Sequence, residues 1–320
     1  MKNFNKILFF DKMNGIVDAQ SGVFLKDLLD KVMKYDWFFP TSPGTKYVTL
    51  GGLIANNVHG KSIKKNFFYD YINSLTIINP SGKKIECSRL KNRELFELTI
   101  GGMGLTGVIV SVKFLLKKIP GTEIEVKKIF NSNLEFLSNF QKSIKKSKWE
   151  YAVIWLDSFK YNESIKSITI LARHNNKISD LKVYKNREIS QFHITIFSIV
   201  NNFFLFRFVN LAYFFINKIF NSGKDHILNF FYLFDSYKDW YKLYGRRGFK
   251  EYQFVISKKN VLKFLNEYYF FCKKNNIFSN LIVLKPINQK KHFLSLHGNG
   301  FSISMDFKFY KNINIIDNFF

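Results

Sequence analysis

Acidic residues, cysteine, glycine and proline are all scarce in this chain. Two cysteines in 320 residues, Cys87 and Cys272, stand far apart and without C-x-x-C spacing. That excludes a disulfide-stapled scaffold and leaves no cysteine set for a zinc site. The six histidines show no ligand spacing such as H-E-x-x-H. Only 24 Asp and Glu oppose 49 Lys and Arg, a formal charge of +25. A surplus of that size favours anionic partners: nucleic acid, an acidic membrane surface or a phosphorylated substrate. The lysines, however, are scattered in short runs such as Lys64-Lys65, Lys117-Lys118 and Lys273-Lys274. No RNA- or DNA-binding signature accompanies them, so a solvated surface is the favoured reading and no nucleic-acid partner is expected. The apolar stretch from Ile194 to Phe220 is broken by Asn201-Asn202, Arg207, Asn210 and Asn217. A helical span needs about 20 consecutive apolar residues, so this stretch reads as a core or lid helix, with contact at a membrane surface as the alternative. The opening MKNFNKILFF runs straight into Asp11 and Lys12 and does not read as a secretory leader. The expected location is cytoplasmic, with membrane association as the alternative.

What is present is a globular composition, 47% apolar, long enough to bury a sizeable core. Against so few glycines and prolines, one stretch stands out: Pro43 to Lys61, PGTKYVTLGGLIANNVHGK, followed some forty residues on by GGMGLTG at Gly101 to Gly107. Glycine serves where backbone must take φ > 0 or lie close to a ligand. Backbone N–H groups freed that way can face phosphates or the polar edge of a flat cofactor. Two tight turns in a packed domain would use glycine in the same way, and spacing alone leaves both readings open.

Around these stretches the pattern is mixed α and β. ILFFDK and GIVDAQ read as strands split by an Asn14-Gly15 turn, and VFLKDLLDKVMKYDW as an amphipathic helix. TKYVTL reads as a short strand and GGLIANNVHGK as a glycine-started helical turn. NSLTIINPSGKKIECS reads as a hairpin, NRELFEL as a short helix and VIVSVKFLL as a strand. After Ile119 a strand (EIEVKKI), a helix (Leu134 to Lys146) and a strand (YAVIWLD) suit a sheet with helices on one face.

The two glycine stretches resemble the FAD-binding domain of the vanillyl-alcohol-oxidase (PCMH-type) flavoprotein superfamily. Within it they are most similar to the branch of decaprenylphosphoryl-ribose 2′-oxidase and the aldonolactone- and alditol-oxidase-like proteins. The pattern there is P-G-T-x-x-V-T-x-G-G-x-I-A-x-x-x-H-G-K, then G-G-x-G-L-T-G-x-I, and both occur here in that order. Trp155 and Asp157, residues 233–256, LIVLKPI at Leu281 and FLSLHGNGFSISMDF at Phe293 extend the likeness. The resemblance implies an α+β fold, with a vanillyl-alcohol-oxidase-type FAD-binding domain over residues 1–118. Residues 119–320 would form a substrate (cap) domain, an antiparallel sheet flanked by helices. It implies FAD, cradled by Pro43, Gly44, Thr45, Gly51, Gly52, Asn56, His59, Gly60, Gly102, Gly104, Thr106, Gly107 and Ile109. The implied reaction oxidises a secondary alcohol of a sugar or sugar-phosphate lipid by hydride transfer to flavin, as in cell-envelope polysaccharide biosynthesis.

By the same resemblance His59 lies at the flavin edge; the plain alternative is a histidine that satisfies backbone at a helix start. Tyr244, Gln253 and Lys285 are the substrate-side candidates, since a phenol, an amide and a cation suit a polyhydroxylated, phosphate-bearing substrate. Ser304 stands where the actinobacterial enzymes have a pocket cysteine. Relatives also carry an N-terminal G-R-x-Y-G-D-like pyrophosphate loop and a C-terminal segment that have no counterpart here, so both domains are expected to be truncated. The expected partners are a small-molecule or lipid-linked sugar and a complementing chain that carries the FAD loop. The alternatives are a catalytically inactive remnant or subunit, and a basic binder of membrane surfaces or nucleic acid.

Overall fold

Glycine 15 shows how tightly the start of the chain is specified. It sits at φ +68°, and a Cβ there would lie 2.4 Å from the Trp37 ring. Asp11 closes the same turn by accepting the backbone N–H groups of Met13 (2.9 Å) and Asn14 (3.0 Å). The hairpin this makes, β1 (Ile7–Asp11) and β2 (Ile16–Gln20), alternates so that Val17 and Ala19 point inward. The computed structural model describes residues 4–65, 67–160, 164–175, 203–236, 240–245, 247–289, 294–309 and 314–320.

Helix α1 (Leu25–Val32) buries Leu25, Leu28, Leu29 and Val32, the i, i+3, i+4, i+7 face of an amphipathic helix. There follow β3 (Trp37–Phe38), α2 (Leu50–Ala55), β4 (Ile72–Ile78), β5 (Lys84–Ser88), α3 (Arg93–Thr99), β6 (Val108–Leu115) and β7 (Lys117–Lys118). The first sheet is antiparallel in the order β1-β2-β6-β4-β5, and β3 pairs with β7. Its inner face, with Val17, Ala19, Leu75, Ile77, Val112 and Phe114, packs against α1 and α2 in one core.

One local expectation is corrected here: residues 45–49 form no strand. They are stapled to the start of α1 instead, where Leu25 N–H donates to Val48 O (2.8 Å) and Lys26 N–H to Lys46 O (2.9 Å). A helix terminus has free N–H groups, and this segment satisfies them.

The second half holds β8 (Glu123–Asn131), α4 (Leu137–Lys145), β9 (Tyr151–Leu156), β10 (Ser167–His174), α5 (Phe203–Ile219) and β11 (Ser222–His226). It continues with α6 (Ile227–Phe231), β12 (Phe249–Ser257), α7 (Val261–Asn275), β13 (Leu281–Gln289), β14 (Gly298–Lys308) and α8 (Asn314–Asp317). Seven antiparallel strands run β11-β8-β10-β9-β13-β14-β12. Helices α4 and α7 cover one face, burying Ile154, Leu284, Ile303 and Met305. The fold is α+β, with antiparallel sheets as expected.

The two sheets are tied where the glycine stretch ends. Ser62 bridges Tyr151, Ile63 N–H donates to Glu150 O and Ala152 N–H to Lys61 O, both at 2.9 Å. No helix among the described residues is long and apolar enough to cross a membrane. Helix α5 accounts for most of the apolar stretch; residues 194–202 of it lie outside the described residues.

Candidate active site

Thr49 starts α2. Its Oγ1 accepts the N–H of Gly52 at 3.3 Å, the role an N-cap threonine plays. The helix is short because Asn57 turns it off in the left-handed region, at φ +43°. Asn57 is buried and joins the two halves: its Nδ2 donates to Ser295 Oγ (3.3 Å) and its Oδ1 accepts from Tyr69 N–H (3.1 Å). The reversal delivers His59 and Lys61 beneath the second sheet.

His59 is 8% exposed, and its Nε2 has no hydrogen-bond partner among the described residues. Burial pushes its pKa down to about 3, with the Lys285 charge adding to the effect. The ring is therefore neutral at ordinary pH. Lys61 Nζ donates to Phe230 O and, at 3.3 Å, to Phe231 O. Burial pushes its pKa down to about 7, and Lys285 again contributes. The Lys285 ammonium is itself lowered by burial, opposed by the charge of Glu251. No carboxylate forms an ion pair with Lys61 or Lys285 among the described residues. An unpaired cluster of this kind favours an anionic or electron-rich ligand.

The second sheet brings the other candidates to the same side. Lys285 stands opposite Ser302, and Val283 opposite Ser304, which is opposite Gln253. Residues two apart on a strand share a face, so Lys285, Ser302, Ser304, Gln253 and Asp306 all lie on the face away from α4 and α7. Gln253 is exposed, and its Nε2 donates to Ser304 Oγ at 3.0 Å. Tyr244 is buried, stacks on Phe249 with ring centroids 4.3 Å apart, and donates its hydroxyl to Asp306 Oδ2 at 2.6 Å. Burial raises the Tyr244 hydroxyl well above its ordinary value, the Asp306 charge adding to it, and pushes Asp306 up to about 7.

The glycine positions divide in two. A Cβ on Gly60 would lie 2.7 Å from Ser42 O, one on Gly102 2.0 Å from Leu98 O, and one on Gly107 2.3 Å from Ile78 O. Gly51 is close against Ser21, at 3.0 Å. The protein's own packing accounts for these four. Gly44 and Gly104 differ, for nothing lies within 4 Å of a Cβ at either. Pro43 is half-buried beside Gly44, and Gly52 is exposed. Thr45 Oγ1 accepts Tyr47 N–H at 3.2 Å, and Thr106 shares a 2.9 Å hydrogen bond with Thr99. Asn56 is exposed and donates to Gly52 O at 3.1 Å, whereas Ile109 points its side chain into the first core. Sequence reasoning picked Asn56 and passed over its neighbour Asn57, and it missed Lys61, Ser295 and Asp306. Lys61 lay in plain view as the last residue of H-G-K; the others depend on partners far along the chain.

Residues 1–88 match the model of the FAD binding domain family. The chain is similar to decaprenylphosphoryl-beta-D-ribose oxidase of Mycolicibacterium smegmatis, 23% identical over 274 residues, 82% of this chain and 60% of that protein. It is also similar to D-lactate dehydrogenase of Anaerostipes hadrus, 34% identical over 126 residues, 38% of this chain and 26% of that protein. L-gulonolactone oxidase of Bos taurus is 27% identical over 177 residues, 55% of this chain and 38% of that protein. The chain thus spans 60% or less of the length of each of these relatives.

Proposed function

We propose, from the premise that this chain carries an FAD-binding domain of the PCMH type, that it is an FAD-dependent oxidoreductase acting on a CH–OH group of a sugar or sugar phosphate. The observation that carries the reading is the unpartnered, buried Nε2 of neutral His59 beside Lys285 and Lys61. A buried polar atom left without a partner marks a place that a ligand completes. Gly44, exposed and at no positive φ that would itself call for glycine, leaves its backbone open to a cofactor.

Bound FAD supplies the acceptor for the hydride that leaves the carbinol carbon. The chain's own groups then orient the alcohol and handle its proton. His59, uncharged at physiological pH, can accept a hydrogen bond from the substrate hydroxyl at Nε2 and so orient it, while Lys61, with its pKa lowered to about 7, is the group suited to take the proton. Lys285 and Lys61 place positive charge where an oxyanion or a phosphate would otherwise be desolvated at a cost. Gln253 and Ser304 offer an amide and a hydroxyl to a second hydroxyl group. Asp306 fixes the Tyr244 phenol at the end of the same face. The relatives named for ribose and gulonolactone substrates support a sugar-like substrate.

The test is the visible spectrum of the purified chain, before and after adding FAD and desalting, followed by bleaching with phosphoribosyl lipids and aldonolactones. The expected result is a retained flavin band that substrate bleaches. His59→Ala is expected to keep the band and slow bleaching by about 10²-fold, the loss expected when a reacting hydroxyl is no longer held in place. A chain that retains no flavin overturns the stand-alone enzyme and directs the search to a complementing chain.

A further inference from the structure

Helix α5 lies on the site face of the second sheet. Its inner side is built from Phe206, Asn210 and Phe214, all buried. Asn210 Nδ2 donates to Asp157 Oδ1 (2.9 Å), Phe214 packs edge-on against Phe130 (5.4 Å) and Tyr213 against Trp155 (5.0 Å). The opposite side carries Phe208, Phe215, Ile216 and Ile219, which are 69, 53, 56 and 75% exposed, with Phe220 just beyond the helix at 68%. Phe208, Phe215 and Ile219 fall at i, i+7 and i+11, one stripe along the helix. Soluble proteins leave single apolar residues exposed but seldom an aromatic stripe along a whole helix.

The charges on the helix itself are of one sign, while Glu123 and Asp225 stand beside its C-terminal end. Helix α5 contains no acidic residue; its charged residues are Arg207 and Lys218, which eleven residues of helical turn bring to the same flank. Lys128 reaches the end of the helix and donates to Phe220 O at 3.0 Å. Lys224 is also near this end and is paired with Glu123 (2.7 Å). An apolar stripe flanked by cations, on a helix whose described residues are too few to cross a bilayer, is the arrangement that lies in a headgroup layer. A second copy of the chain is a poorer occupant, because a two-fold contact would bring like flanks together between molecules that each carry +25.

We propose that α5 is a docking helix for an anionic lipid surface, with Phe208, Phe215, Ile216, Ile219 and Phe220 seated at the acyl boundary and Lys218 at the headgroups. The docking does not rest on the flavin reading. It does bear on it through position: Trp155, under Tyr213, is paired in register with Val283, two residues from Lys285. At about 3.4 Å per residue and 4.8 Å per strand, Lys285 lies about 8 Å along the sheet from Trp155, so docking of α5 would bring the candidate site close to the lipid surface.

Flotation of the full chain with vesicles tests this, using phosphatidylcholine alone and phosphatidylcholine mixed with phosphatidylglycerol. The expected result is flotation with the mixed vesicles that falls about ten-fold or more on neutral vesicles or at high salt. Phe208→Glu/Phe215→Glu is expected to lower flotation about ten-fold or more, with an unchanged circular dichroism spectrum and Tm because both side chains are exposed. Lys218→Glu, which leaves the stripe intact, should weaken only the salt-dependent part. Three outcomes overturn the proposal: no flotation of the unmodified chain, equal flotation of the double variant, or equal binding to both vesicle types. If light scattering instead finds a dimer that the double variant converts to monomer, the stripe belongs to a second copy and the lipid assignment falls. The flavin spectrum plays no part in these readings, so each proposal can fail without the other.

Discussion

The two faces of the seven-stranded sheet are made by the same strands and do opposite work. On β14, Ile303 and Met305 point toward α4 and α7 and are fully buried among aliphatic and aromatic side chains. Ser302, Ser304 and Asp306, interleaved with them, point to the side that holds Lys285 and Gln253. On β13, Leu284 and Lys285 are split in the same way. Alternation with a period of two lets one strand carry a core and a site together. The packed face tolerates few changes, while the polar face carries partly buried charge that a simple fold would leave out. Such residues are a cost in stability kept at places that act on ligands.

The sharpest way to break this contrast is to alter both faces of one strand. Ile303→Ala removes a fully buried side chain and is expected to cost about 2–5 kcal/mol in chemical denaturation. Ser302→Ala, one residue earlier on the polar face, should stay within about 1 kcal/mol; a comparable loss at both positions would show that the two faces are not distinct. The next largest effect is expected at Lys285. Lys285→Met removes a cation held in a desolvated place, offset by the Glu251 charge but without a salt-bridge partner among the described residues. It should raise Tm while lowering the rate of substrate bleaching about 100-fold or more. A fall in Tm would mean that Lys285 is structural.

A smaller effect comes from Asp306, whose pKa is raised from 3.8 to about 7 in the folded chain. Across that window the folded state holds a proton that the unfolded state has released. Stability owed to this group therefore falls as pH rises from about 4 to about 7. Asp306→Asn should remove that slope, seen as a Tm difference between variant and unmodified chain that grows in the variant's favour toward pH 7. His59, lowered from 6.5 to about 3, acts in the opposite sense: between those values the unfolded chain holds a proton that the folded chain does not, so stability owed to His59 rises with pH there, and only the comparison with Asp306→Asn isolates the fall due to Asp306.

How much of this was legible in the sequence follows from how local each feature is. The 72–88 hairpin, α1, α2, α3, α4 and the strands β6, β8 and β9 were readable, because their periodicity and turn residues sit within the segment itself, whereas β10, β13 and β14 were not assigned as strands. The 45–49 segment was not, since its alternation resembles a strand while its partners are the N–H groups of Leu25 and Lys26. Asn56 and Asn57 look alike in sequence; the left-handed turn at Asn57 decides which one faces inward. Asp306 acquires meaning only from Tyr244, 62 residues earlier. The packing demands at Gly60, Gly102 and Gly107 could not be separated from the open positions Gly44 and Gly104 before the neighbouring backbone was placed.

Gln253 gives the smallest stability effect and the cleanest reading of the polar face. Its side chain is exposed and its described hydrogen bond, to Ser304 Oγ, is solvent-facing. Replacing it with alanine should shift stability by no more than about 0.5 kcal/mol, as at other exposed positions. Any larger loss in kcat/KM than that shift can explain must come from contact with substrate. If Gln253 binds a sugar hydroxyl, Gln253→Ala raises KM more than it lowers kcat, because the hydroxyl is bound alike before and during the reaction. Ser304→Ala should then act on the same parameter, and the double variant should lose less than the two single losses added together, since the two side chains form one hydrogen-bonded unit. Unchanged kinetics in all three would remove Gln253 and Ser304 from the site and confine it to His59, Lys61 and Lys285.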